Sequence, residues 1–277
     1  MHAFCRFMRV IVTRPEREAH AWAQAMVQRG LEVSVLPLID IHPTPDTSAL
    51  CAAWRQLGDY VALMFVSAAA VEHFFTLRVS CGVPGDIPGV LKARFWGTGP
   101  GTRAALLRQG VDPVRIDAPA HDGGQFDSEA LWRVVQAQVR PGDRVLIVRG
   151  GDKPQDPAAA AGTAGAGFGR DWLAQRLIQA GAQVEFVLAY WRGAPVFNQL
   201  QRETARDAAS DGSVWLFTSA RAVANLLACL PGQRWAGARA LATHARIANA
   251  ARAAGFGVVW ESRPSVSDVV ASIESIG

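Results

Sequence analysis

The stretch FTSARAV, residues 217–223, decides the fold, because its pattern is that of a junction between a buried strand and a helix. It follows the apolar run VWL and leads into NLLACL, whose apolar residues recur at helical spacing. Ser219 stands where a helix N-cap belongs, since a serine hydroxyl accepts a hydrogen bond from a backbone N–H of the first turn. A near copy, FVSAAAV at 65–71, follows DYVALM and precedes EHFF. Two such junctions predict a chain built from strand–helix units.

Strand and helix patterns alternate along the chain outside these junctions as well. VIVTRP (10–15) is a β-branched run ended by proline, and the helical pattern EREAHAWAQAMVQRG (16–30) ends at Gly30, a suitable C-terminal cap. Pro37 argues against a central strand in the extended segment 31–41. Further strands are predicted at 62–67, 93–98, 144–150, 182–191, 213–219, 238–244 and 256–262, and further helices at 68–77, 102–110, 128–139, 170–181, 220–230, 245–255 and 265–276. This alternation is typical of α/β proteins with parallel sheets.

The chain also repeats itself. Besides the two junctions, the matched pairs are GTRAALLRQG (101–110) with RIANAARAAG (246–255), and AQAMVQRGLEV (23–33) with AQRLIQAGAQV (174–184). Any two α/β domains share strand–Ser–helix junctions, because a serine cap satisfies free N–H groups, so one repeated heptapeptide alone is weak support. Three matched pairs favour two similar flavodoxin-like domains with parallel sheets.

The order of the repeated pieces differs between the two halves. VIVTRP…LPLI precedes FVSAAAV, whereas its counterpart VLIVRG…VLAY lies between FVSAAAV and FTSARAV. The domains are therefore interleaved, with the first β-α unit completing the C-terminal domain. The predicted boundaries are a discontinuous domain at 1–36 and 196–277, an inserted domain at 42–186, and a two-stranded hinge linker at 37–41 and 187–195.

Composition limits the classes of function. The 277 residues are 50% hydrophobic and 19% charged, which suits a folded core rather than wholesale disorder. A net charge of +4 fits an anionic small molecule as well as a nucleic acid, but the nine tryptophans form no stripe with basic residues, so single-strand binding is disfavoured. No apolar run approaches the ~20 residues that a membrane helix needs. The N-terminus shows no secretion signal, and Met8 is a candidate start because the patterned sequence begins at Arg9.

The cysteines and histidines match no known framework. Cys5, Cys51, Cys81 and Cys229 are scattered without a C-x-x-C pair, which argues against a disulfide framework or a structural zinc and favours a reducing compartment, the cytoplasm. The six histidines show no metal spacing. We therefore expect no metal site.

Two glycine-rich segments invite a cofactor interpretation that their details do not support. GTGPGT (97–102) is not G-x-G-x-x-G, and Pro100 removes an N–H donor, so it predicts only a turn whose N–H groups hold a carboxylate or phosphate. The segment 150–170 contains Lys153 but no G-K-[ST], so it is not a phosphate-cradling loop, and its Ala/Gly/Pro composition indicates a flexible insertion at 153–166. Gly150 and Arg170 flank it and are better candidates for gripping an anion.

Arginines recur where predicted strands end or helices begin, namely at Arg14, Arg149, Arg170, Arg221 and Arg246, and His244 stands beside the last of them. In parallel sheets those positions line the crevice at the carboxyl edge, and arginine binds carboxylates through its planar fork. Arginines are also common on any protein surface, and His244 fits an exposed loop equally well. As a set, they favour a polyanionic ligand bound in a basic cleft between two hinged domains.

Several of these motifs together carry a resemblance. VTRP (12–15), LPLI (36–39), the two F-x-S-x-x-A-V copies, VLAY (187–190) and the terminal SVSDVVASI (265–273) resemble the uroporphyrinogen-III synthase family, from Arg9 to the end of the chain. The resemblance implies two α/β domains joined by a two-stranded linker. It also implies a cofactor-free lyase that cyclises hydroxymethylbilane, a linear tetrapyrrole with eight carboxylates, and inverts ring D. A monomer that takes its substrate from hydroxymethylbilane synthase is expected.

The resemblance also assigns residues by motif position. Tyr190 matches a tyrosine on the return linker that acts as general acid toward the departing hydroxyl, although a packing tyrosine at a hinge is the plainer interpretation. Ser67, Ser219 and Thr102 match carboxylate-binding positions, and an N-cap role explains each equally well. Ala69 stands where many members have arginine, and Ile247 stands where some have threonine, with His244 and Arg246 as candidate substitutes.

Two other classes of protein fit the same pattern. A bilobal small-molecule sensor that closes on an anion without chemistry has the same two lobes and two crossings. A flavodoxin-like redox protein is the third class, and it predicts a yellow protein after purification.

Overall fold

A computed structural model describes residues 8–83, 92–119, 128–152 and 168–276, with the side chains of 168–171 excluded. The predicted insertion at 153–166 lies outside the described residues. The chain divides into two compact units: unit 1 contains residues 1–40 and 193–277, and unit 2 contains residues 41–192. The two divisions fall inside the segments 37–41 and 187–195. Within the described residues, no helix combines the length and the apolar composition that crossing a membrane requires.

The first half of the chain begins in unit 1 and enters unit 2. Its elements in chain order are β1 (Val10–Val12), α1 (Glu16–Val27), β2 (Val33–Val35), β3 (Asp40–Pro43), α2 (Ser48–Arg55), β4 (Ala62–Phe65), α3 (Ala68–Thr76), β5 (Arg94–Gly97), α4 (Pro100–Arg108), β6 (Ile116–Asp117) and α5 (Ser128–Val135). Short 3₁₀ turns follow α2, precede β6 and follow α5.

The second half completes unit 2 and returns to unit 1. Its elements are β7 (Arg144–Asp152), α6 (Phe168–Gln179), β8 (Gln183–Gly193), α7 (Gln199–Asp207), β9 (Val214–Phe217), α8 (Ala220–Cys229), β10 (Arg239–Ala242), α9 (Ala245–Ala253), β11 (Val258–Glu261) and α10 (Val266–Ile276).

The predicted α/β class with parallel sheets is confirmed, and the two sheets share one spatial plan. The sheet of unit 1 has the order β11-β10-β9-β1-β2, which is the flavodoxin-like arrangement. The sheet of unit 2 has the order β3-β8-β7-β4-β5-β6. In unit 2, β7 and β8 occupy the places that β1 and β2 occupy in unit 1, and β4, β5 and β6 occupy those of β9, β10 and β11. The spatial order of these strands is therefore the same in both units, although their order along the chain differs. The matched sequence pairs therefore correspond to matched strands and helices. Strand β3 is the neighbour of β8 and has no counterpart in the other sheet.

Apolar side chains cover both faces of the unit 2 sheet, as buried parallel strands require. On one face Phe65 and Phe95 pack among residues of α2, α3 and α4. On the other face Met64 and Trp96 pack against α5 and α6. In unit 1, Val10 and Val12 pack against residues of α1 and α10, such as Met26 and Val269. Because helices cover the central strands on both faces, the carboxyl ends of these strands are the natural place for a site.

Local signals place the helix ends as predicted. Gly30 follows α1 with φ of 83° and Gly110 follows α4 with φ of 81°, left-handed conformations that favour glycine. Ser67 and Ser219 are the N-caps of α3 and α8. Strand β2, which ends just before Pro37, lies at the edge of its sheet, as the proline indicates.

The scatter of the cysteines argued against disulfides, and this expectation is wrong for one pair. Cys51 in α2 and Cys81 beyond α3 form a disulfide with their Cα atoms 4.9 Å apart. The packing of α2 beside α3 in the unit 2 core brings them together, because Trp54 of α2 stacks on Phe74 of α3 with ring centroids 4.4 Å apart. Cys229 is a free thiol, and burial raises its pKa. Sequence spacing gave no warning, because the pairing depends on helix packing.

Candidate active site

A pair of hydroxyl groups lies at the carboxyl edge of the unit 2 sheet. Tyr190, near the end of β8, is buried, and its phenol oxygen lies 3.1 Å from Oγ of Ser67. Ser67 stands between β4 and α3, where its Oγ accepts a hydrogen bond from the backbone N–H of Ala70 at 3.1 Å. The same serine therefore caps a helix and holds the tyrosine.

Gly150 makes room for that tyrosine. It pairs with Tyr190 across β7 and β8, immediately after a register shift between Arg149 and Gly150. A Cβ added to Gly150 would overlap ring carbons of Tyr190 and lie 2.7 Å from its hydroxyl oxygen. Since real Cβ atoms do not approach so closely, the tyrosine ring has this place only because residue 150 is glycine.

His73 packs against the same tyrosine. It lies in α3, and its ring stacks on Tyr190 with centroids 5.6 Å apart and planes 29° apart. Burial lowers the pKa of His73, and the nearby carboxylate of Glu72 opposes that change only in part. The imidazole is therefore held toward its neutral form beside the phenol.

The glycine-rich turn after β5 leads directly into a helix N-terminus. Helix α4 begins at Pro100 after the N-cap Gly99, which provides no side-chain cap. Thr102 in its first turn is buried and packs on Gly97, where an added Cβ would lie 3.3 Å from the threonine methyl carbon. The hydroxyl of Thr98 donates to the carbonyl oxygen of Val66 at 3.2 Å. This turn exposes the positive end of a helix, which attracts anions.

The two predicted arginines of unit 2 stand at the predicted strand end and helix start. Arg149 ends the regular part of β7, is buried, and stacks over the ring of Phe186 at 4.5 Å. It lies on the opposite side of the sheet from Tyr190, because its neighbour Val148 packs in the same cluster as Tyr190 and successive residues of a strand alternate between faces. Arg170 falls in the first turn of α6, and its side chain lies outside the described residues.

Unit 1 presents a cap and an arginine at two helix starts. The Oγ of Ser219 accepts from the N–H of Arg221 at 3.2 Å at the start of α8. Nδ1 of His244 accepts from the N–H of Arg246 at 3.1 Å at the start of α9. His244, Arg221 and Arg246 are exposed. Because strands β9 and β10 are parallel neighbours, both helix starts follow the same edge of the sheet.

Arg14 is engaged within its own unit. Its Nε donates to the carboxylate of Glu18 at 3.0 Å, and its guanidinium carbon lies 4.6 Å above the ring of Trp22. Both partners are on α1. The guanidinium of Arg14 is therefore held between Glu18 and Trp22.

The structure thus joins some of the predicted residues and separates others. Ser67, Gly150 and Tyr190 meet in one cluster, whereas Arg149 lies on the other face of the same sheet. Sequence reasoning missed His73. One signal was available: His73 lies six residues after Ser67, as Asn225 lies six residues after Ser219. The two side chains make corresponding contacts. His73 stacks on Tyr190 of β8, and Asn225 donates to the carbonyl oxygen of Leu38 at 2.7 Å in the segment that follows β2, the strand that corresponds to β8. Within the described part of the chain, His, Cys, Asp and Glu side chains form no group of three that would hold a metal ion.

Comparisons with known proteins agree on one family. The sequence model of the family described as "Uroporphyrinogen-III synthase HemD" matches residues 20–271. A curated relative from Chlorobaculum parvum, named uroporphyrinogen-III synthase, is 29% identical over 143 residues. That match covers 51% of this chain and 52% of the relative, so it spans about half the length of each protein.

Two solved structures have the same fold. A mutant uroporphyrinogen III synthase from Thermus thermophilus is 17% identical, with a TM-score of 0.52, and the match covers 97% of this chain and 98% of that one. A uroporphyrinogen-III synthetase from Helicobacter pylori is 13% identical, with a TM-score of 0.56, and the match covers 98% and 99%. At such low identity, these two likenesses show the two-domain α/β fold alone.

Proposed function

Because the chain belongs to the uroporphyrinogen-III synthase family, we propose that it cyclises hydroxymethylbilane to uroporphyrinogen III, with loss of water and inversion of ring D. This reaction belongs to tetrapyrrole and haem biosynthesis. The observation that carries the proposal is the buried phenol of Tyr190 at a sheet edge, held by Ser67 and seated on Gly150.

The first step is the departure of the substrate hydroxyl group. In the proposed reaction Tyr190 donates its proton to that oxygen as the carbon–oxygen bond breaks, so water leaves and a cationic azafulvene remains. A positioned general acid of this kind contributes about 10²–10⁴-fold in rate. His73, held toward its neutral form, adds no full positive charge beside the phenol.

The second step decides which isomer forms. The substituted carbon of ring D attacks the azafulvene to give a spiro intermediate, and fragmentation with reclosure inverts the ring. The proton released when the last pyrrole regains aromaticity restores the phenol. The uncatalysed reaction gives the symmetric isomer, so the enzyme acts mainly by holding the reacting ends in place. Such positioning lowers a barrier by about 7–11 kcal/mol.

The eight substrate carboxylates require several positive or N–H-donating groups. In unit 2 we assign this role to the start of α4 with Thr102, to Gly150, and to Arg149 and Arg170. In unit 1 we assign it to Ser219, Arg221, His244 and Arg246, with Arg14 joining if Glu18 releases it. These assignments rest on the positions of the residues at strand ends and helix starts, where N–H groups and cations favour anions.

Four further features complete the proposal. The linker segments 37–41 and 187–195 act as a hinge. The protein works as a monomer in the cytoplasm, and it receives hydroxymethylbilane from hydroxymethylbilane synthase. A dimer mass in light scattering of the purified protein would contradict the monomer.

The test is the isomer of the product. The purified protein is added to a porphobilinogen-deaminase coupled reaction that generates hydroxymethylbilane, and the oxidised porphyrins are resolved by chromatography. We expect the type III isomer to dominate. Type I product alone, as in the control without this protein, would end the enzyme assignment and leave a bilobal anion-binding protein as the interpretation to pursue.

A further inference from the structure

We propose that Ser67 is a positioning residue that sets the direction of the proton on Tyr190. In this arrangement the serine hydroxyl donates its proton to the phenol oxygen, so the phenol proton is directed away from Ser67. The inference rests on the proposed function of Tyr190 as proton donor, and it changes the role of Ser67 from binding a substrate carboxylate to orienting the acid.

The backbone fixes the oxygen of Ser67. The residue is extended at the N-cap of α3, with φ of −167° and ψ of 165°, and its Oγ accepts the N–H of Ala70. A serine hydroxyl has one proton to donate and two lone pairs to accept with. One lone pair is therefore already used by the N–H of Ala70. The positive end of the helix also disfavours the approach of a second donated proton to this oxygen.

The ring of Tyr190 is fixed from two sides. Gly150 lies beneath it with no space for a Cβ, and the ring of His73 stacks against it. The phenol oxygen therefore keeps its place 3.1 Å from the serine oxygen. Each hydroxyl has one proton, and one of these two protons forms the hydrogen bond between the oxygens.

Two arrangements of that proton are possible in principle, and the surroundings favour one. If the phenol donated to Ser67, the serine oxygen would accept two hydrogen bonds and its own proton would need a third partner. If Ser67 donates, the hydrogen bonds run in one direction, from Ala70 N–H to Ser67 to Tyr190, and each bond polarises the next. The phenol proton then has no described acceptor and is available to a ligand.

Unit 1 offers a matched serine without a tyrosine. Ser219 makes the same kind of cap on α8, and the position that corresponds to Tyr190 is Ile39. Substitutions of Ser219 therefore measure what a change of N-cap does to stability when no phenol is involved.

The experiment uses the full chain with Tyr60→Phe, which leaves Tyr190 as the one tyrosine of the two in the sequence. Tyr60 hydrogen-bonds Glu185 at 2.8 Å and lies outside the proposed site. In this background Ser67 is changed to Thr, Asn or Asp, all of which cap helices. Threonine and asparagine donate a hydrogen to the phenol oxygen, whereas an aspartate carboxylate only accepts. Ser219→Asn and Ser219→Asp are the controls for stability.

The first readout needs no activity. The tyrosine Raman doublet distinguishes a phenol that accepts a hydrogen bond from one that donates. We expect the acceptor signature with Ser67 and with the Thr and Asn variants, and the donor signature with Asp. A donor signature in the protein that retains Ser67 would overturn the inference even if the enzyme is active.

The second readout separates positioning from carboxylate binding. We expect kcat for type III product to fall about 10²-fold with Ser67→Asp, the lower range of a general-acid contribution, and less than about tenfold with Thr and Asn. Charge repulsion by the new carboxylate would raise KM instead. In a Tyr190→Phe background the same Ser67 substitutions should lower kcat no further, because they act through the phenol. If Ser67→Asp raised KM and left kcat unchanged, the inference would be overturned. It would also be overturned if the Ser67 substitutions lowered kcat in the Tyr190→Phe background as much as they do with Tyr190 present. Absence of type III product with the unsubstituted protein would contradict the proposed function, and the Raman result would then decide the proton direction alone.

Discussion

The carboxyl edges of the two sheets are built from corresponding positions and carry different side chains. Where unit 2 has Gly150 and Tyr190, unit 1 has Pro15 and Ile39. Conversely, Arg221 of unit 1 replaces Ala69 of unit 2. The paired hydroxyls of Ser67 and Tyr190 belong to unit 2, and Arg221 lies exposed at the start of α8 in unit 1.

The difference shows which positions the fold constrains. The strand interiors are apolar in both units because the strands are buried. Both units also have a serine N-cap, Ser67 after β4 and Ser219 after β9, because the free N–H groups at a helix start need an acceptor. The residues just beyond the strand ends face no such demand. The same architecture therefore presents different side chains at the two carboxyl edges.

Gly150→Ala should break the comparison most strongly. The new Cβ collides with the ring of Tyr190, so the ring has to leave Ser67, and we expect kcat for type III product to fall by about 10²-fold or more. Pro15→Ala at the corresponding position of unit 1 is the control, and it should leave Tyr190 in place. Steady-state kinetics of both variants measures the effect, and an equal loss in the two would contradict the special role of Gly150.

The disulfide is a second difference, because it belongs to unit 2. Closing a loop across 30 residues stabilises a fold by about 3–4 kcal/mol in the chain-entropy account. Cys51→Ser should therefore lower the free energy of unfolding by that amount in urea without reductant, whereas Cys229→Ser should have little effect. If reductant does not reduce the stability of the unsubstituted protein, the pair is not bonded in solution.

Asn225 and His73 occupy corresponding helix positions, and Asn225 should matter for the stability of unit 1. Its buried amide donates to the carbonyl oxygen of Leu38 at 2.7 Å and to that of Gly193 at 3.5 Å. Asn225→Ala leaves both carbonyls short of a donor and should cost about 1–3 kcal/mol in the free energy of unfolding. Asn249→Ala on the exposed side of α9 is the control. Equal unfolding midpoints for the two would contradict the assigned role.

His73 should contribute a smaller, pH-dependent effect in unit 2. Its pKa in the folded protein is lowered, chiefly by burial, so folding favours the neutral ring. The stabilisation is present above the ordinary histidine pKa of about 6.5 and is lost as pH falls through the lowered value. Glu72, which opposes the shift, is itself paired with Arg108. His73→Phe keeps the stack on Tyr190 and should flatten the loss of stability as pH falls below about 6.5, measured as the change in melting temperature. An unchanged acid slope would show that other groups cause it.

The parts of the fold that depend on local pattern were predictable. Gly30 and Gly110 mark helix ends and Ser67 and Ser219 mark helix starts, because each satisfies backbone groups within one turn. The repeated motifs also indicated that two similar halves are interleaved. Pro37 identified β2 as an edge strand before any pairing was known.

The site was predictable only in part, because its contacts depend on register and packing. The shift between Arg149 and Gly150 brings Tyr190 opposite the glycine, and no sequence pattern announces such a shift. The pairing of Cys51 with Cys81 needs α2 beside α3. The contact of Arg14 with Glu18 depends on the turn between β1 and α1, because Arg14 lies before the helix begins at Glu16.

The central claim is that the phenol of Tyr190 carries the chemistry, and one comparison tests it directly. The turnover of Tyr190→Phe is measured beside that of Tyr60→Phe, with isomer-resolved product and with KM recorded for both. We predict that Tyr190→Phe lowers kcat by about 10²-fold or more while KM changes little, and that Tyr60→Phe turns over at nearly the rate of the unsubstituted protein. Unchanged turnover in Tyr190→Phe would contradict the account.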